Sequence, residues 1–192
     1  MHQPHDTLSK NFLGNLTVAR DFLKAHLSKA IQQRCQFETL RIEATSFIEP
    51  DLRQHFSDIL YSVKIDGDQG LIYTLIESQS TPIALMPLRF LRYITSALKK
   101  YTENHKGQKL PVVIPMLLYT GQQSPYPYSL DLFDCFNDPA LAKETLLHPH
   151  LIDLSIIPDE ILKTHGHAAF LELTQKHIKD RDILNLAHDI TK

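Results

Sequence analysis

The chain has 192 residues, of which 43% are hydrophobic and 22% charged, and a formal net charge of −2. That length suits one domain (1–192) with a substantial core, and the composition excludes a collagen-like, low-complexity or disulfide-framework protein. A near-neutral charge neither requires nor excludes a nucleic-acid partner, because such binding depends on where the basic groups lie.

In chain order, Leu8, Phe12, Leu13, Leu16, Ala19, Phe22, Leu23 and Leu27 recur at helical spacing. They predict one or two helices from Asp6 to about Ala30, with Thr17 capping a second helix through Val18–Leu27. Leu40–Phe47 is the first expected strand, and Pro50 marks a break. Phe56–Ile65 and Gly70–Ser80 then predict a hairpin around the turn-forming run Asp66-Gly67-Asp68-Gln69. Thr81-Pro82 opens a long helix to about Glu103, with Leu85, Leu88, Leu91, Ile94, Thr95 and Leu98 as its apolar stripe and Pro87 in its first turn. Leu110–Tyr119 reads as a strand buried on both faces. An irregular Pro-containing loop at 124–138 precedes a short helix at Ala140–Leu146, a last strand at His150–Ile157 and a final helix from Asp159 to about Lys179. This order gives an α/β architecture, a central sheet flanked by helices.

The longest apolar runs are too short to cross a bilayer as helices, and the first residues lack an apolar signal core, so no membrane association and a cytoplasmic location are expected. Cys35 and Cys135 have neither disulfide-framework nor metal-ligand spacing and read as packed side chains. His148-Pro149-His150 and His165-Gly166-His167 likewise lack the spacing of a zinc site.

The chemistry concentrates in the hairpin. With a four-residue loop, Ile65 pairs with Gly70, Val63 with Ile72 and Tyr61 with Thr74, which brings Asp58 directly opposite Glu77 with Gln79 on the same face. A five-residue loop would put Asp58 opposite Ser78 instead. Two carboxylates directly opposed repel unless a cation or proton lies between them. The pair therefore points to a divalent metal, and its oxygen donors suit Mg2+ or Mn2+. Asp51, which precedes the strand, is the alternative partner for Glu77.

Four runs carry a resemblance: HDTLSKNFL at 5–13, DLRQHFSDILY at 51–61, YTLIESQS at 73–80 and SPYPY at 124–128. In order and at fitting spacing, they resemble the Rpn family of recombination-promoting nucleases, also described as YhgA-like transposases, from about residue 5 to about residue 182. The resemblance implies a restriction-endonuclease-like core of the PD-(D/E)XK superfamily, with a central mixed β-sheet, and a metal-dependent DNA endonuclease acting in recombination or mobile-element biology. It implies Asp58, Glu77 and Gln79 as catalytic residues, with Asp58 and Glu77 as metal ligands. Many proteins with this core carry Lys where Gln79 stands, and an amide can orient water but cannot serve as a general base. Ser78 departs from the His expected in many members.

Asp6 and Lys10, at i and i+4, could add a ligand or phosphate contact, or form a surface ion pair. Arg89 and Arg92, with Lys99 and Lys100 on the same helix, offer phosphate contacts beside the site or a solvated face. Tyr119 could donate to a phosphate or close the core edge, and Tyr126 and Tyr128 could stack on bases or pack their loop. DNA is the expected partner, and a homodimer the simple route to a double-strand break. The alternative is a non-catalytic DNA-binding or protein-interaction module that kept the fold.

Overall fold

The computed structural model describes residues 11–43, 59–77 and 82–178, and for 73–77 the backbone only. The chain divides into two compact units, Met1–Pro139 and Ala140–Lys192. In the first, α1 (Leu16–His26) and α2 (Lys29–Arg34) lead into β1 (Cys35–Ile42), followed by β2 (Ile59–Ile65), β3 (Asp68–Glu77), α3 (Met86–Asn104) and β4 (Val112–Tyr119). The four strands form one sheet in the order β1-β2-β3-β4, antiparallel except that β3 and β4 are parallel.

Helices cover both faces, as the apolar pattern demands. On one side Ala19, Leu23 and Leu27 pack with Phe37, Ile59, Tyr61, Val63 and Ile72. On the other, Met86, Phe90, Tyr93 and Ala97 of α3 pack with Leu60 and Leu71. Alternate residues of β2 serve opposite clusters, so this central strand is buried on both faces. The Tyr61 hydroxyl, buried in the first cluster, donates to the Leu13 carbonyl at 2.7 Å and ties the segment before α1 to the sheet.

Several expectations change. Asn15, not Thr17, caps α1, its Oδ1 accepting from the Thr17 and Val18 amides. The predicted strand at Leu40 begins earlier, at Cys35, and residues 44–50 lie outside those described. Between Gln36 and Arg41, β1 carries an irregularity in which the Thr39 hydroxyl accepts from the Lys64 amide at 2.9 Å and donates to the Gln36 carbonyl. The buried α3 stripe is mainly the other one available at the same period, with Ile94 of the expected series also packed against the sheet. Met86, Phe90, Tyr93, Ala97 and Tyr101 are buried, whereas Leu85 and Leu88 are 53% and 44% exposed. Periodicity alone cannot choose between two such stripes, and the large aromatic areas of Phe90, Tyr93 and Tyr101 decide. Pro87 does sit in the first turn.

The hairpin also differs. Its loop is only Asp66-Gly67, both at positive φ (52° and 91°), a turn whose twist matches that of the flanking strands. Ile65 therefore pairs with Asp68, Val63 with Gly70, Tyr61 with Ile72 and Ile59 with Thr74, a shift of two residues from the expected ladder. The expected opposition of Asp58 to Glu77 rested on the Ile65–Gly70 pair, which does not form.

β4 is a partly exposed edge strand rather than one buried on both faces, and Pro115 within it explains why: a residue without an N–H is tolerated at an edge.

In the second unit the helix expected at Ala140–Leu146 forms as α4 (Pro139–Thr145), whereas α5 (Asp159–Leu162) and α6 (Ala168–His177) stand in place of the single final helix. His150–Ile157 is not a strand. Asp153 accepts from both the amide and the hydroxyl of Ser155, which bends the chain, and Leu151 is 84% exposed. The final helix is split at Gly166, whose φ is +60°. Leu162 and Leu173 pack with Leu154 and Ile157, and Asp159 pairs with Lys176 and His177, each at 2.8 Å. Among the described residues no helix is long and apolar enough to cross a membrane.

Candidate active site

β3 and β4 end together, with Ile76 in register with Leu118 and Glu77 with Tyr119. The carboxyl ends of parallel strands are where loops converge in α/β sheets and where ligands are commonly held. Here the converging segments are the entrance to α3 and the loop after β4.

Aromatic side chains organise that corner. The Tyr119 hydroxyl donates to the Gln123 carbonyl at 2.9 Å, which curls the chain back over Gly121. A Cβ at Gly121 would collide with the phenol ring of Tyr119, so glycine permits the close approach. Tyr126 meets Tyr119 edge to face with ring centroids 4.9 Å apart, and its hydroxyl donates to the Ile83 carbonyl at 2.7 Å. The loop after β4 is thus fastened to the segment that enters α3. Tyr128 follows, its centroid 6.1 Å from that of Tyr126 and its plane nearly perpendicular at 81°.

Six residues beyond Ile83, in the first turn of α3, half-buried Arg89 lies over the Tyr93 ring at 5.6 Å and donates to its hydroxyl at 3.4 Å. Arg92 is exposed. Lys100 is paired with Glu103 at 3.0 Å.

Of the residues singled out from sequence, the structure brings the Glu77 backbone and Tyr119 to one strand end and places Arg89 and Arg92 on the early turns of α3. Asp6, Lys10, Asp51, Asp58, Ser78 and Gln79 lie outside the described residues, as does the side chain of Glu77. In this arrangement the Tyr119 proton holds the loop. Sequence reasoning missed the close approach of the Tyr119 ring to Gly121 and the Arg89–Tyr93 contact. The i, i+4 spacing of Arg89 and Tyr93 was the available signal for the latter.

A cavity of about 540 Å³ lies elsewhere, lined by Glu38, Thr39, Arg41, Ser62, Lys64 and His105. It reaches Leu71 of β3, and six residues of strand, about 20 Å, separate Leu71 from Glu77. Its mixed charges gather no donor set: among the described residues there is no group of three or more His, Cys, Asp or Glu side chains suited to a metal. The Cys35 thiol is pushed up from its ordinary value by burial and then by the Asp66 carboxylate, against the opposing effect of Arg34, which disfavours the thiolate. His165 is engaged with Glu172 at 2.7 Å.

Residues 3–192 match the family described as "Putative transposase, YhgA-like". The chain is 45% identical over 189 residues to the recombination-promoting nuclease RpnA of Escherichia coli K12, an alignment covering 97% of this chain and 64% of that protein. It is 43% identical over 190 residues to the inactive recombination-promoting nuclease-like protein RpnE of the same strain, covering 98% and 63%. Against RpnD of Escherichia coli O157:H7, a recombination-promoting nuclease, identity is 42% over 185 residues, covering 95% and 71%. The chain thus spans slightly less than two thirds of the length of RpnA and RpnE. No solved structure matches. The α/β fold, a mixed four-stranded sheet between helices, is compatible with a restriction-endonuclease-like core. With the match running across nearly its whole length, the chain belongs to the YhgA-like transposase family, which includes the recombination-promoting nucleases.

Proposed function

We propose that the chain acts, as one nuclease domain over 1–192, as a metal-dependent endonuclease that hydrolyses DNA phosphodiester bonds, with Asp58 and Glu77 holding Mg2+ or Mn2+. The observation that supports this best is the position of Glu77, the last residue of β3, in register with Tyr119 where two parallel strands end. A relative with a nuclease name, RpnA, aligns over 97% of the chain.

A two-residue shift of the ladder leaves the parity of strand positions unchanged, so the reading keeps Asp58 and Glu77 as joint ligands. Carboxylate oxygens are the donors that hard divalent ions take. When bound, such an ion neutralises charge on the attacked phosphate and makes a water more acidic. Gln79 orients that water or donates to a phosphate oxygen, since its amide has no basic lone pair for proton abstraction. Arg92, with Arg89 behind it on Tyr93, supplies positive charge for the DNA backbone. Asp6 and Lys10 support the site, and two subunits serve where both strands are cut.

A second reading, a non-catalytic DNA-binding module, draws on RpnE: its name marks it inactive, yet its identity to this chain, 43%, nearly equals that of RpnA. Overall similarity does not separate the two readings. Incubation of the purified chain with supercoiled plasmid in Mg2+, Mn2+ or EDTA does. Nicking or linearisation that depends on the metal is the expected result; DNA binding without cleavage in any metal supports the non-catalytic module.

A further inference from the structure

We propose that Tyr128 is a stacking platform for an unpaired base, so that the nuclease proposed above engages DNA carrying single-stranded nucleotides beside the cleaved bond. The inference rests on that nuclease reading for its location and on the tyrosine cluster for its chemistry.

The three tyrosines differ in what holds them. Tyr119 is tied to Gln123, and Tyr126 is clasped edge-on by Tyr119 and bonded to Ile83. Those two rings build the corner. Tyr128 is the outer member and is 43% exposed. Its 81° angle to Tyr126 matters: in an edge-to-face pair at most one face of either ring is covered by the other. At least one face of Tyr128 is therefore left uncovered by Tyr126, and an aromatic face is what a base needs for offset stacking.

Rigidity favours the same use. Pro125 and Pro127 flank Tyr126, and each fixes its own backbone φ. The bond from Tyr126 to Ile83 anchors the loop to the chain entering α3. A ring presented on a stiff loop loses little freedom when it binds. Tyr128 also stands only two ring contacts from Tyr119, the register partner of Glu77. Bases within a duplex are already stacked on their neighbours, so a platform at this point selects nucleotides whose faces are open.

The test uses the full chain in EDTA, which separates binding from hydrolysis. The probes are a 2-aminopurine-labelled single-stranded oligonucleotide and the duplex of the same sequence. Because the chain has no tryptophan, the 2-aminopurine signal can be excited apart from protein emission. Tyr128→Ala is expected to weaken single-strand binding by about 5- to 150-fold and to abolish quenching of the probe. Duplex binding should be unchanged, and Tyr128→Phe, which keeps the ring, should behave as wild type. Equal losses on both probes, or no loss on either, overturn the platform while leaving the nuclease reading intact. Failure of the wild type to bind either probe overturns the platform together with the DNA reading beneath it. Circular dichroism of each variant identifies any loss that comes from misfolding, and Tyr128→Phe then still decides whether the hydroxyl rather than the ring is what matters.

Discussion

Tyr61→Phe isolates a single buried bond that joins the N-terminal segment to the sheet. The Tyr61 hydroxyl donates to the Leu13 carbonyl at 2.7 Å, and both residues are buried. Removing the hydroxyl leaves almost no cavity, so the loss is that of one net hydrogen bond plus a poorly satisfied carbonyl, about 1–2 kcal/mol. With a urea dependence of about 2 kcal/mol per molar, the unfolding midpoint should fall by about 0.5–1 M near pH 8. The pH dependence adds a second check. Burial raises the Tyr61 pKa well above its ordinary value of 10.0, so above pH 10 the unfolded chain releases this proton while the folded chain keeps it. Stability is therefore intact below pH 10 and lost as pH climbs above it, by about 1.4 kcal/mol at pH 11. The variant lacks this group. Its deficit relative to wild type should shrink by that amount between pH 9 and pH 11, as read by urea denaturation followed by circular dichroism. An unchanged midpoint at pH 8, or a deficit that stays constant with pH, would refute the reasoning.

Gly121→Ala forces the Tyr119 ring off its present position. A stability loss of about 1–3 kcal/mol and an altered near-ultraviolet dichroism spectrum are expected, and a spectrum matching wild type would show that the ring has room to move. Asp159→Asn removes the ion pairs with Lys176 and His177 and should destabilise the second unit by about 1 kcal/mol, measured by amide exchange in α6. Hydrogen bonding to Lys176, then to His177, holds the Asp159 carboxyl below its ordinary 3.8. The stabilisation is present above pH 3.8 and fades as pH falls through the lower folded value, so wild type and variant should converge in strong acid. A difference that grows on acidification would contradict this.

The legible parts of the sequence were those where local chemistry admits one solution. The Asp66-Gly67 dipeptide marked the hairpin, although reading four loop residues instead of two displaced the ladder. Pro87 lies in the first turn of α3 as expected, but the helix starts at Met86 rather than at Thr81-Pro82, and its apolar stripe was ambiguous because two offset series share one period. His150–Ile157 has the composition of a strand, but the bend made by Asp153 with Ser155 overrides that propensity. Both β3 and β4 were visible as apolar runs. Their parallel register, which sets Glu77 beside Tyr119, was not, because it arises from the packing of α3 across one face of the sheet. The tyrosine corner was legible only as composition. Which ring is clasped and which is outermost depends on the carbonyls of Ile83 and Gln123.

The central claim is that Asp58 and Glu77 carry metal-dependent hydrolysis, and the most direct measurement compares wild type, Asp58→Ala and Glu77→Ala, each shown to be folded, on supercoiled plasmid with Mn2+. Cleavage by wild type and its loss in both variants are expected, with DNA binding in EDTA retained by all three. Cleavage that persists in both variants at the wild-type rate would contradict it.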